Sequence, residues 1–160
     1  MTYAVLKTLH VLSIIVWIGG MAFTLFFLRP ALTVLEPPLR LRLMQNVLGR
    51  FFGAVLALAL LTLVTGVWMM LDYASRLPDT PVADMRMPWT WSAMAGLGVL
   101  MIAIFGHIRF VLFQRLRHAV AASAWAAGGA ALSGIRVWVR TNLILGLLIV
   151  GLVFLGGGPL

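Results

Sequence analysis

The stretch "LHVLSIIVWIGG" places one imidazole, His10, at the start of an otherwise apolar run. A polar group in hydrocarbon costs free energy, so it asks for a partner or a role. The nine methionines supply one chemistry. Met85 and Met87 form an M-x-M pair, and Met69 and Met70 at the end of the second run and Met94 at the start of the third fall on the same side of the expected bundle as His10. Thioether sulfur and imidazole are ligands that suit Cu(I). The chain has no cysteine, which excludes disulfides, thiolate metal sites and iron–sulfur clusters. The metal ligands to expect are therefore His10, Met85, Met87, Met69, Met70 and Met94. His10 with Met69 or Met94 is also a His/Met pair of the kind that ligates haem.

Spacing sharpens the choice. His10, Ser13, Trp17, Gly20 and Thr24 repeat at helical intervals and share one face, which should turn toward other helices. The indole N–H of Trp17 calls for an acceptor, with Thr62, Thr65 or Asn142 available. His107 lies late in the third apolar run. Parallel first and third helices would set it about 15 Å from His10 along the bundle axis at 1.5 Å per residue, so the two are not expected to clamp one ion. His118, beside Arg115 and Arg117, should meet solvent or lipid phosphate. No carboxylate lies inside an apolar run, and no phosphate loop, Ser–His–Asp set or H-E-x-x-H is present. A hydrolase or nucleotide enzyme lacks its machinery.

The elements that must position these groups are apolar helices. Hydrophobic residues make up 62% of the chain and charged ones only 10%. Four runs, about 4–28, 51–71, 89–113 and 137–157, each reach the ~20 residues that cross a bilayer core. The expected architecture is an all-α integral membrane protein, one domain over 1–160, built as a four-transmembrane-helix bundle with short interfacial helices. Residues 38–49 alternate Leu and Arg behind Pro37 and Pro38, which suits an amphipathic lead-in helix. The alanine-rich segment 117–134 predicts a second interfacial helix, broken near Gly128 and Gly129. "DYASRLPDTPVADMRMP" reads as a loop. The net charge of +8 does not imply nucleic acid, because the basic residues sit at helix ends. Nine Lys and Arg at the first and third connections against three elsewhere put those connections in the cytoplasm. Both termini and the second connection then face outward, in the periplasm of a bacterial inner membrane.

Several segments carry a resemblance. "LKTLHVLSIIVWIGGMAFTLFFLRPAL" resembles the first helix of bacterial CopD-family membrane proteins, in which a His precedes W-x-G-G and an R-P stop. "EPPLRLRL", "FGHIRFVLFQRLRHAV" and "RTNLILGLL" resemble small stand-alone members of the same family. The resemblance implies a four-helix membrane protein linked to copper, with import across the inner membrane as the usual role, and it matches His10 and Trp17. A more distant similarity to HemJ-type protoporphyrinogen oxidases matches His10, Trp17 and His107 and implies haem b as cofactor. Both groups can carry a further His or Lys at the start of the third helix, where this chain has "MPWTWSAM".

Three readings follow. In the first, copper is captured at the outer face, delivered by a periplasmic copper chaperone. In the second, a b-type haem makes the protein a membrane oxidoreductase. In the third, the chain is a structural or assembly subunit and His10 bonds one helix to another. Small-residue faces make a homodimer in the bilayer a further expectation.

Overall fold

The computed structural model describes residues 2–75 and 89–155. It is helical through these segments except at Leu35–Glu36 and Ala122–Ala124. Helix α1, Thr2–Phe23, continues through a widened π turn at Thr24–Leu28 into α2, Arg29–Ala31, and a 3-10 turn at Leu32–Val34. Pro30 has no N–H to donate to the carbonyl one turn earlier, and the loosened turn lies just ahead of it. α3 spans Pro37–Ser75, α4 Trp89–His107, α5 Phe113–Ala121 and α6 Trp125–Leu155. A second π turn, Ile108–Leu112, joins α4 to α5. Four continuous helical stretches are long and apolar enough to cross a membrane: Tyr3–Val34, Pro37–Ser75, Trp89–Ala121 and Trp125–Leu155.

The amphipathic lead-in at 38–49 is helical, and it runs without a break into the second span as one 39-residue helix. At 1.5 Å per residue α3 is about 58 Å long, nearly twice the hydrocarbon thickness, so its arginine-bearing first turns stand clear of the lipid core. No proline follows Pro38 within α3, and Leu41, Met44, Leu48, Phe52 and Val55 form one buried stripe across the expected boundary. The expected break at Gly128 and Gly129 also lies elsewhere. The chain turns at Ala122–Ala124, where Ser123 takes a left-handed φ of 55°. Both glycines are inside α6. Gly128 is kept small by packing: a Cβ there would stand 3.1 Å from Leu41 Cδ1.

α1 packs chiefly on α3, and α6 on α4 and α5. The centre of the bundle is solid. Phe52 meets Phe105 and Phe113 edge-on at 6.0 and 5.4 Å, and Phe105 meets Trp17 at 5.9 Å. Val55, Leu116, Ile108 and Ile135 are almost wholly enclosed beside them. By contrast Ile15, Val16, Phe26, Phe27, Leu60 and Leu147 are more than half exposed. Apolar surface on the outside and saturated helical backbone within are what a lipid solvent demands.

Candidate functional site: a cavity around His10

The five-residue face of α1 turns inward. Ser13, Trp17 and Thr24 are buried, and His10 and Gly20 are half-buried. Ser13 and Thr24 satisfy their hydroxyls by donating to Leu9 and Gly20 carbonyls, at 2.8 and 2.7 Å, one turn back on their own helix. His10 instead reaches across to α3. Its Nδ1 lies 2.9 Å from Thr65 Oγ1. The Thr65 hydroxyl also lies within donating distance of the Leu61 carbonyl, at 2.6 Å, and the Thr62 carbonyl, at 3.2 Å. When its proton goes to either carbonyl, Thr65 accepts from Nδ1–H, and in that tautomer Nε2 carries the lone pair.

Beyond the ring is a cavity of about 290 Å³ between α1, α3, α4 and α6. His10, Trp17, Met69, Met70 and Met94 all line it. Side chains from positions 10 to 94 thus converge from three helices on one space. Its other walls are mostly apolar, with Tyr3, Lys7, Thr62, Thr90 and Trp91 as the polar contributors. Thr62 Oγ1 is enclosed and has no hydrogen-bond partner among the described residues. A buried unsatisfied oxygen on a cavity wall is a vacancy for a donor or a cation. Gly66 and Gly146 leave room. A Cβ at Gly66 would stand 3.2 Å from His10 Cε1, and one at Gly146 would stand 3.0 Å from Ile18.

The other expected residues fall elsewhere. Met85 and Met87 lie outside the described residues. His107 does not line the cavity. It is exposed on the outer face of the bundle, and its ring packs edge-on at 5.4 Å against Trp138. Trp17 bonds to none of its three expected acceptors. Thr65 serves His10, while Thr62 Oγ1 and Asn142 Oδ1 stay unpartnered. The indole packs on Phe105 instead. Asn142 is fully buried on α6, one turn below Gly146. Among the described residues no three His, Asp or Glu side chains cluster, so a site here relies on thioether sulfur and one imidazole.

Thr65 was not expected as the partner of His10. The signal was present: Thr62, Thr65, Gly66, Met69 and Met70 repeat at helical spacing and make a polar and small face on α3. That face meets the His10 face of α1.

Below the cavity lies the packed layer of Trp17, Phe105, Phe52 and Phe113. A second cavity of about 500 Å³ opens at the opposite end of the bundle, lined by Met44 of α3 among others. Thr62 and Met44 are separated by five turns of α3, roughly 27 Å. Phe52 stands between them, and the two spaces are not joined.

Comparison with curated proteins and with solved structures finds no match. The family model described as CopD, copper resistance protein D, matches residues 45–155. The match begins within α3, covers the spans carrying Thr65, Met69, Met70 and Met94, and leaves α1 with His10 and Trp17 ahead of it. With the match extending over more than two-thirds of a four-helix, membrane-spanning chain, the protein belongs to the CopD family of copper resistance proteins.

Proposed function

We propose that the chain captures Cu(I) in the His10 cavity, from the periplasmic side of a bacterial inner membrane, as the first step of copper uptake. The observation that carries this reading is the convergence of His10, Met69, Met70 and Met94 on one largely apolar space, with the His10 ring held through Nδ1 by Thr65. Soft thioether and neutral imidazole donors in a dry cavity favour Cu(I) over harder cations. Lys7, the one charged side chain on the wall among the described residues, opposes any cation and favours a site deeper than its own level. Onward passage requires the aromatic layer to move. Asn142, with its free amide oxygen, is the first polar group below the cavity. A periplasmic copper chaperone is the natural donor, and a homodimer in the bilayer is compatible with the small-residue faces.

The test is Cu(I) titration of the detergent-purified chain against a competing chelator, with elemental mass spectrometry. Near-stoichiometric copper, lost in His10→Ala and weakened in Met94→Leu, is the expected result. Copper uptake no different in His10→Ala, or none at all, ends the reading.

The second reading, a b-type haem, draws support from the same apolar walls and the His10 with Met69 or Met94 pair. His107, exposed beside Trp138, offers no second imidazole. The cavity is also at the small end of the ~300–1,000 Å³ usual for organic ligands. Iron with a Soret band in place of copper would favour it. If neither metal binds and His10→Ala only lowers stability, the structural reading stands.

A further inference from the structure

The second cavity gathers three arginines. Arg29 of α2, Arg40 of α3 and Arg136 of α6 line its wall of about 500 Å³, with the hydroxyl residues Thr33 and Ser133 beside them. No acidic residue is on the lining; Glu36, next in sequence, is exposed outside it. Three like charges facing one space repel one another, and nothing on the wall neutralises them.

The donors are also unspent. Arg29 is held in place by one bond, from Nη2 to the Leu132 carbonyl at 2.6 Å. A guanidinium has five N–H donors, so most of Arg29 remains free. The guanidinium groups of Arg40 and Arg136 make no hydrogen bond to any described residue. Pro37, the first residue of the 39-residue α3, also lines the cavity, and no acid occupies that helix's first turn. The positive end of the helix dipole therefore adds to the same field. The floor is apolar, from Leu41 and Met44. Arg42 lies over the ring of Trp125 at 5.5 Å, which braces the rim.

We propose that this cavity is a binding site for a phosphate group, held in the forks of Arg29, Arg40 and Arg136. Planar guanidinium donors match phosphate oxygens two at a time. The group can come from the headgroup of an anionic phospholipid, whose acyl chains the apolar floor and outer face would receive, or from a free phosphate compound in solution. Basic pockets between transmembrane helices are a known setting for acidic headgroups. The site is at the far end of the bundle from His10, and it does not depend on what the His10 cavity binds.

The experiment is thermal unfolding of the full chain in neutral detergent, with three additions: inorganic phosphate, phosphatidylglycerol and phosphatidylcholine. Arg136→Gln and Arg40→Gln are compared with Arg140→Gln, an exposed residue off the cavity that makes the same change in charge. Saturation at about a hundred times Kd should raise Tm by roughly 5–10 °C. A rise with phosphatidylglycerol but not phosphatidylcholine, largely lost in Arg136→Gln and Arg40→Gln and kept in Arg140→Gln, assigns a lipid headgroup. A rise with inorganic phosphate alone, with the same variant pattern, assigns a free phosphate compound. No rise with either anion in the wild-type chain overturns the proposal, whether or not the variants fold. So does an equal loss in Arg140→Gln, which would mean general attraction to a basic surface.

Discussion

His10 of α1 occupies the space that a side chain at Gly66 of α3 would need: its Cε1 is 3.2 Å from where a Cβ at Gly66 would stand. Cε1 lies between the two ring nitrogens. The bare backbone at Gly66 therefore leaves the ring its room, while the Thr65 bond holds it through Nδ1. Gly66→Ala should push the ring by a few tenths of an ångström without unfolding the helix, because alanine is the better helix former by up to ~1 kcal/mol. Cu(I) affinity is expected to fall about tenfold, the lower edge of effects seen when a ligand's support is disturbed. Chelator competition beside a melting curve checks both halves. Unchanged affinity would show that the ring position does not matter to binding.

Thr65 acts one step behind His10. Thr65→Val keeps the shape and removes the hydroxyl, leaving His10 Nδ1 without its Thr65 partner in a largely apolar setting. The cost in stability is about 1–3 kcal/mol. Copper affinity should drop roughly 10–100-fold. Thr65→Ser restores the hydroxyl and should recover most of both. A serine variant as weak as the valine one would argue that packing, not the hydrogen bond, is what Thr65 provides.

Phe52 is the centre of the aromatic layer, touching Phe105 and Phe113 at once. Phe52→Ala empties a position that is only 2% exposed, and the large cavity should cost on the order of 3–5 kcal/mol. Denaturation in detergent, compared with Phe26→Ala on the exposed outer face, measures it. Equal effects from the two substitutions would contradict a packed centre.

Composition alone carried the architecture, because four runs of apolar residues have few other solutions in lipid. The inward face of α1 was legible from the spacing of His10, Ser13, Trp17 and Thr24. What sequence could not supply was where helices stop. Residues 38–49 look like a separate helix by amphipathicity, yet nothing between Leu48 and Phe52 breaks the backbone, so the helix continues. Gly128 looks like a breaker, yet it is there to let Leu41 approach. The turn fell on Ser123, a residue with no strong turn signal of its own. Contacts between helices were the other gap. Met69, Met70 and Met94 could be put at the level of His10 by counting, but that Thr65 pairs with His10 rather than Trp17 depends on how α1 and α3 rotate against each other.

The sidedness proposed from the arginine distribution can be tested cleanly, since the chain has no native cysteine. Ser75 at the end of α3 and Ser123 in the turn before α6 are both exposed, at opposite ends of the bundle. If the His10 end faces outward, as the positive-inside rule predicts, Ser75→Cys should react with a membrane-impermeant thiol reagent added to intact spheroplasts. Ser123→Cys should react only after the membrane is opened. The two single variants differ from wild type by one atom each, so folding is not at issue. The reverse pattern would turn the bundle over. The His10 cavity would then open to the cytoplasm, and copper capture there would serve export rather than uptake.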